Sequence, residues 1–166
     1  CEPERKNTAP CIAFATAKIL KQDPNAMMIV TPSDHLITNE KQFNEDLELG
    51  ITAALKSTSL ITFGIKPHRP DTGYGYIEFN SSEINNRTQK VIQFREKPNL
   101  STAETFLNKG NFYWNSGMFI WKGKVLKDSF EKHCSSLYDI FFKNLEAYNT
   151  SNEMNFMKQA FNTAAS

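Results

Sequence analysis

The stretch MMIVTPSDHLI, residues 27–37, decides the fold class of this chain. Its first four residues are apolar and fit a short buried strand. Residues 40–57 then repeat apolar positions at helical spacing, and SLITFGI, residues 59–65, is a second apolar strand. A strand, a helix and a strand in this order predict a βαβ unit with a right-handed crossover, and hence an α/β fold with a parallel sheet.

The segments on either side of this unit extend the same pattern. Residues 11–21 predict a largely buried helix, with Asn7 or Thr8 as its cap. Residues 74–79 and 90–96 predict two strands of an antiparallel ribbon, joined by a polar stretch.

The last third of the chain predicts one more strand among helices. Ser101 and Glu104 have the spacing of a capping box, and Gly110 supplies a helix stop. An aromatic strand follows at residues 112–122, interrupted at Asn115-Ser116-Gly117. Three further helical patterns are predicted at residues 125–133, 138–148 and 154–162.

Composition limits the classes of function. The chain has 166 residues, 40% of them hydrophobic and 22% charged, which is typical of one globular domain. The formal net charge is only +1 with both signs interspersed, so neither a nucleic acid nor a membrane surface is an expected partner. Three separated cysteines, Cys1, Cys11 and Cys134, argue against a disulfide framework or a zinc site and favour a reducing cytoplasm.

Asp34 and His35 follow the first strand, where ligands bind in open α/β sheets. A carboxylate there could hold Mg²⁺, which takes one or two protein carboxylates together with waters and substrate phosphates. The alternative is that Asp34 caps the following turn and His35 is a packing residue.

Three other motifs permit both a ligand and a purely structural role. DTGYGY, residues 71–76, would let backbone approach a ligand, or is a turn into a strand. In REKP, residues 95–98, Lys97 could neutralise a phosphate and Glu96 could accept hydrogen bonds from hydroxyls, or both are a solvated strand end. In WNSG, residues 114–117, the buried polar groups need partners, which a polar ligand or an internal network would supply.

Five motifs in order, EP…NTAP, PSDH, FGIKP…TGYGYIE, FREKP and WNSGMFIW, resemble the nucleotidyltransferase domain of bacterial mannose-1-phosphate guanylyltransferases. The resemblance is dense over residues 2–121. It implies a Rossmann-like nucleotide-diphospho-sugar transferase fold, with a mixed, mostly parallel sheet flanked by helices. The family's glycine-rich loop would lie upstream of Cys1 and its second metal-binding aspartate beyond Ser166. Residues 1–166 are therefore expected to be a partial domain without its N-terminal strands, inactive by itself.

The resemblance also implies an activity and a set of site residues. These enzymes form GDP-mannose and pyrophosphate from GTP and α-D-mannose 1-phosphate, with Mg²⁺, by in-line attack on the α-phosphorus. The resemblance assigns catalysis to Asp34 and Lys97, with metal binding by Asp34 and contact with the sugar phosphate by Lys97. It assigns substrate binding to Asn7 and Thr8 for guanine and to Gly75, Glu96 and Asn115 for mannose.

Several alternatives stay open. A related enzyme could use another hexose or base, and a non-catalytic homologue could bind a sugar nucleotide for regulation. The oligomeric state, including a homo-oligomer, and an additional isomerase domain in a longer chain are not specified by the sequence. His35 has no role in the resemblance.

Overall fold

The structure is a computed structural model that describes residues 2–80, 82 and 87–164. Its backbone contacts divide into two compact units. The first, here called the helical unit, is drawn from Cys1–Met28, Thr58–Leu60 and Trp121–Ser166. The second, here called the sheet unit, is drawn from Ile29–Ser57 and Ile61–Ile120.

The helical unit packs its helices around aromatic side chains. Its elements are α1 (Thr8–Gln22), α4 (Gly123–His133), α5 (Ser135–Phe141), a 3-10 turn (Leu145–Ala147) and α6 (Glu153–Thr163). The core is formed by small residues of α1 against large rings, and includes Ala13, Ala17, Phe141, Tyr148 and Phe161. Small side chains on α1 let these rings approach its backbone, so the unit has a dense apolar centre.

The predicted helix over residues 138–148 is wrong in its second half. α5 ends at Phe141, and the hydroxyl of Tyr148 donates to the Phe141 carbonyl oxygen at 2.9 Å. Tyr148 is fully buried, so this bond satisfies a polar tip in the core and also a carbonyl group at the helix end. The apolar residues after Phe141 therefore belong to a segment that folds back onto the end of α5, and not to a longer helix.

The other elements of the described residues are five strands, which form one sheet, and two helices. They are β1 (Met27–Val30), α2 (Glu40–Lys56), β2 (Ile61–Ile65), β3 (Tyr76–Phe79), β4 (Val91–Arg95), α3 (Leu100–Lys109) and β5 (Phe112–Lys122). The strand order is β1-β5-β3-β4, and β2 also pairs with β5. Beneath α3 lies an apolar cluster of Tyr76, Ala103, Phe106, Phe112 and Trp114.

The α/β class with helices flanking a sheet is confirmed, as is the antiparallel β3–β4 ribbon. The expectation of a mostly parallel sheet is wrong for three pairings, because β2 with β5, β3 with β4 and β3 with β5 all run antiparallel. β1 and β2 both take β5 as a partner, so they do not form a directly paired βαβ unit. The pairing of β1 and β2 thus depends on β5, which comes about fifty residues after β2 in the chain. Patterns among neighbouring residues do not reveal such a pairing.

Helix ends provide two further corrections. α3 starts at Leu100, where the Asn99 side chain accepts from Thr102 N at 2.9 Å, so the predicted Ser101–Glu104 box lies inside the helix. α1 starts at Thr8 after Asn7, but Asn7 makes no side-chain capping bond. The stop at Gly110 is confirmed, with a left-handed φ of 73°.

Two of the three cysteines lie within the described residues. Cys11 and Cys134 are free, whereas Cys1 lies outside the described residues. None of the helices in the described ranges has the length and hydropathy that crossing a bilayer requires.

Candidate active site

A cavity of about 550 Å³ lies in the sheet unit, at the ends of several strands. Four of the predicted site residues line it: Asp34, Gly75, Glu96 and Asn115. They come from the segment after β1, the loop before β3, the end of β4 and the middle of β5. Residues far apart in the sequence thus share one concave surface, which is the usual form of a small-molecule site.

Asp34 lies in an exposed bend four residues after β1 ends at Val30. The bend packs against β5 at one point, because the Pro32 ring would lie 3.3 Å from a Cβ added to Gly117. Gly117 also has a left-handed φ of 73°, a conformation that other residues adopt with strain. Pro32 and Gly117 therefore shape the turn from which the Asp34 carboxylate faces the cavity.

Asn115 lies at an irregular step in β5. The sequence predicted an interruption in β5, but the strand is continuous. Thr62 pairs with Phe119 and Gly64 with Asn115, so two residues along β2 correspond to four along β5. This bulge turns the Asn115 side chain toward the cavity, which is the use that bulges commonly have beside active sites.

The polar side chains of Asn115 and Ser116 find partners within the protein. Asn115 Oδ1 accepts from Thr62 Oγ1 at 3.0 Å and from Gly117 N at 3.3 Å. The buried Ser116 hydroxyl accepts from Met118 N at 3.1 Å. The internal network that the sequence left open is thus present, and it orients the amide nitrogen of Asn115 as the group that can donate to a ligand.

Gly75 is required by space rather than by its backbone angles. A Cβ added there would lie 2.7 Å from Phe94 Cζ and 2.9 Å from Glu96 Oε2. The Gly75 carbonyl accepts from Asn115 N at 2.7 Å. Gly75 thus lets the Glu96 carboxylate and the main chain of β5 lie close together at the cavity wall.

Lys97 differs from the other predicted residues of the sheet unit. Its ammonium lies 3.5 Å from Glu96 Oε1, and both side chains are more than half exposed. Lys97 has φ 39°, a left-handed conformation that is uncommon for a side chain of this size. It adjoins the cavity through Glu96 but is not among the residues that line it.

Asn7 and Thr8 belong to the helical unit, where they begin α1. Both are exposed, and Asn7 has φ 61°. Their backbone amides are at a helix start, so they have donors that the helix does not use.

A cluster that the sequence did not assign adjoins the cavity. Trp114 is surrounded by the rings of His68 and Tyr74, each with its centre 5.1 Å away, and by the guanidinium of Arg69 at 5.3 Å. Arg69 also forms an ion pair with Asp71 at 2.7 Å. The only sequence signal was the Arg-x-Asp spacing within the predicted loop 66–73.

Hydrogen bonds set the electrostatics of this loop. The amide of Gly73 and then the guanidinium of Arg69 hold the pKa of Asp71 below its usual range. The bond to Asp71 correspondingly raises the pKa of Arg69. The pair therefore stays ionised throughout the neutral range.

Asp34 can offer a metal ion one exposed carboxylate at the cavity. Within the described ranges, no three His, Cys, Asp or Glu side chains come together as a metal-binding group. One exposed carboxylate is too few to bind a metal ion by itself. It fits Mg²⁺ that shares its ligands with waters and substrate phosphates.

Comparisons with known proteins show what this chain is similar to. A family model described as Nucleotidyl transferase matches residues 1–161. The chain is 41% identical over 126 residues to the mannose-1-phosphate guanylyltransferase of Salmonella montevideo, covering 73% of this chain and 26% of that protein. It is 35% identical over 146 residues to the alginate biosynthesis protein AlgA of Pseudomonas aeruginosa, covering 87% and 30%.

A solved structure extends the likeness to three dimensions. The crystal structure described as mannose-1-phosphate geranyltransferase from Thermus thermophilus superposes with a TM-score of 0.81 and 27% identity, covering 95% of this chain and 45% of that one. The chain thus spans less than a third of the length of the two curated relatives and under half of the solved one.

Proposed function

This chain belongs to the nucleotidyl transferase family, and from that premise we propose that the full-length protein forms GDP-mannose and pyrophosphate from GTP and α-D-mannose 1-phosphate. The observation that carries the proposal is the cavity, because it joins Asp34, Gly75, Glu96 and Asn115 in one wall. The relatives named for mannose-1-phosphate guanylyl transfer support the choice of sugar and base.

In the proposed reaction, a phosphate oxygen of the sugar phosphate attacks the α-phosphorus of GTP. A new P–O bond forms as the bond to the pyrophosphate group breaks, and pyrophosphate leaves on the opposite side. No covalent bond to the protein is needed. The protein's work is to align two polyanions and to offset their charge.

Each residue of the cavity wall has chemistry that suits this task. Glu96 can accept hydrogen bonds from two sugar hydroxyls, and the oriented amide nitrogen of Asn115 can donate to a third oxygen. Lys97, next to Glu96, supplies a cation for the sugar phosphate. We assign the guanine contact to Asn7 and Thr8, whose backbone amides lie at the start of α1 and are donors suited to ring and carbonyl acceptors.

Asp34 would hold Mg²⁺ together with the substrate phosphates. When bound, the ion would neutralise negative charge on those phosphates. The role of Asp34 itself is to present one carboxylate from an exposed turn. A single carboxylate would leave the ion able to keep several waters and to bind the substrate phosphates.

The test measures pyrophosphate release by the full-length protein. Each common nucleoside triphosphate is combined with the 1-phosphates of mannose, glucose, galactose and N-acetylglucosamine. We expect the highest kcat/KM for GTP with mannose 1-phosphate. A different preferred pair would move the protein to a related sugar specificity, and no turnover with any pair would contradict the transferase proposal.

A substitution of the carboxylate tests its assigned role. We expect Asp34→Asn to lower kcat by about a hundredfold or more, because several kcal/mol of charge stabilisation depend on the metal. Asp139→Asn is the matched control, since Asp139 is an exposed carboxylate of α5 paired with Lys143. Near-normal magnesium-dependent activity in Asp34→Asn would remove Asp34 from the metal site.

A further inference from the structure

The loop between β2 and β3 contains a set of hydrogen bonds that the proposed reaction does not use. Asp71 Oδ1 accepts from Gly73 N at 2.8 Å. Asp71 Oδ2 accepts from Arg69 Nε at 3.0 Å and from Arg69 Nη2 at 2.7 Å. Both carboxylate oxygens are therefore engaged with the same short loop.

The loop is also tied to the core at two points. The Arg69 guanidinium lies over the ring of Trp114, which is only 5% exposed. The main-chain oxygen of Asp71 accepts from the hydroxyl of Tyr76 at 2.8 Å, and Tyr76 is fully buried. The Arg69–Asp71 pair is thus anchored to two rigid aromatic side chains.

This anchored pair precedes the backbone that forms the cavity wall. Gly73, Tyr74 and Gly75 all line the cavity, and Gly75 is bonded through its carbonyl to Asn115 N. We propose that Arg69 and Asp71 are positioning residues that form a latch, which holds the Gly73–Gly75 main chain in the conformation that binds the sugar phosphate. The proposal rests on the proposed transferase function.

The chemistry of the pair suits positioning more than global stability. An exposed ion pair adds little to the free energy of unfolding, and Arg69 is half exposed. A planar guanidinium, however, can direct two N–H donors at one carboxylate oxygen, as Arg69 Nε and Nη2 do to Asp71 Oδ2, and can lie over an aromatic ring at the same time. Lysine would keep the charge and lose both constraints.

Three variants of the full-length protein separate the contacts of the latch. Asp71→Ala removes both the Arg69 and the Gly73 bonds. Asp71→Asn keeps an oxygen for Gly73 N but loses the ionic partner, and Arg69→Lys keeps the charge alone. We expect KM for the sugar 1-phosphate to rise about tenfold in Asp71→Ala and Arg69→Lys and less in Asp71→Asn, because small displacements of a binding wall are costly.

The control measurements show whether the effect is local. KM for the nucleoside triphosphate and the melting temperature should stay near wild type in all three variants, and Asp139→Asn should change nothing. Unchanged KM for the sugar phosphate in an active Asp71→Ala enzyme would overturn the latch. Equal loss for both substrates, together with a lower melting temperature, would also overturn it, because a merely structural role predicts that pattern.

Hydrogen exchange provides a readout that does not depend on turnover. Amides in the peptide covering residues 70–76 should exchange faster in Asp71→Ala, because Gly73 N loses its acceptor. Unchanged exchange would overturn the latch even if KM shifted. A wild-type protein without transferase activity would instead overturn the proposed function, so the two failures are distinguishable.

Discussion

At the scale of single residues, the cavity depends on Gly75, which has no side chain. Gly75 has an ordinary φ, yet any Cβ there would collide with Phe94 and Glu96. The atoms that it would meet are the ends of the two side chains, which can move away. The main result would be a change in the direction of the Glu96 carboxylate. A close approach of this kind affects binding before it affects folding.

Gly75→Ala should therefore raise KM for the sugar 1-phosphate about tenfold and lower the melting temperature little, because it displaces Glu96 rather than the backbone. The measurement is steady-state kinetics of the full-length enzyme. A double-mutant cycle with Glu96→Ala is the control. If Gly75→Ala had its full effect even without the Glu96 carboxylate, the loss of binding would not pass through displacement of Glu96.

At the scale of elements, α3 shows how a helix start is chosen. Asn99 accepts from Thr102 N at 2.9 Å, while the Ser101 hydroxyl only donates back to Asn99 Oδ1 at 3.0 Å. α3 covers the aromatic cluster that includes Phe106 and Trp114, so its register decides how that cluster is packed. The capping residue is the one with a side-chain oxygen at the first non-helical position.

Substituting the two candidate caps gives a direct comparison. Asn99→Ala should lower the free energy of unfolding by about 1 kcal/mol, because it leaves an amide of the first turn without its acceptor. Ser101→Ala should change it by less than about 0.5 kcal/mol. Urea unfolding of the full-length protein measures both, and a larger loss for Ser101→Ala would restore the capping box predicted from the sequence.

At the scale of the whole molecule, long-range polar contacts join segments that are far apart in the chain. Lys18 of α1 forms an ion pair with Glu153 at the start of α6. The Glu153 carboxylate also accepts from Asn149 N at 2.5 Å. The bond from Lys18, and then the one from Asn149, lower the pKa of Glu153.

This shift predicts a pH dependence of stability. Because the folded-state pKa of Glu153 is depressed, its contribution is present above the ordinary glutamate value and is lost as the pH falls through the folded-state value. Glu153→Gln should be less stable than wild type by no more than about 1 kcal/mol at pH 7, since the pair is partly exposed. The gap should begin to narrow as the pH falls below the ordinary glutamate pKa of about 4.3 and should be gone once the pH is below the lowered pKa of Glu153.

Unfolding curves between pH 3 and pH 8 measure this gap. Hydrogen exchange in the peptides of α1 and α6 locates it in the helical unit. Asp139→Asn is again the matched control, as it removes an exposed carboxylate from an i,i+4 pair. A gap that stays constant down to pH 3 would contradict the assigned role of the ionised carboxylate.

The sequence alone determined those features that depend on neighbours along the chain. The β3–β4 ribbon joins strands that are close in sequence, and the stop at Gly110 needs only a residue that tolerates a positive φ. The ordered motifs likewise pointed to the family whose model matches residues 1–161, because each motif is a short run of neighbouring residues.

Only the tertiary structure decided which distant segments meet. β1 and β2 both pair with β5, and the bulge at Asn115 exists only because β2 and β5 advance by different numbers of residues. The Arg69–Asp71 latch acquires its anchor when Trp114 arrives from β5, some forty positions later in the chain. The physical reason is that strand pairing and ring packing are settled by competition among all partners in the folded chain, whereas caps and turns are settled within a few residues.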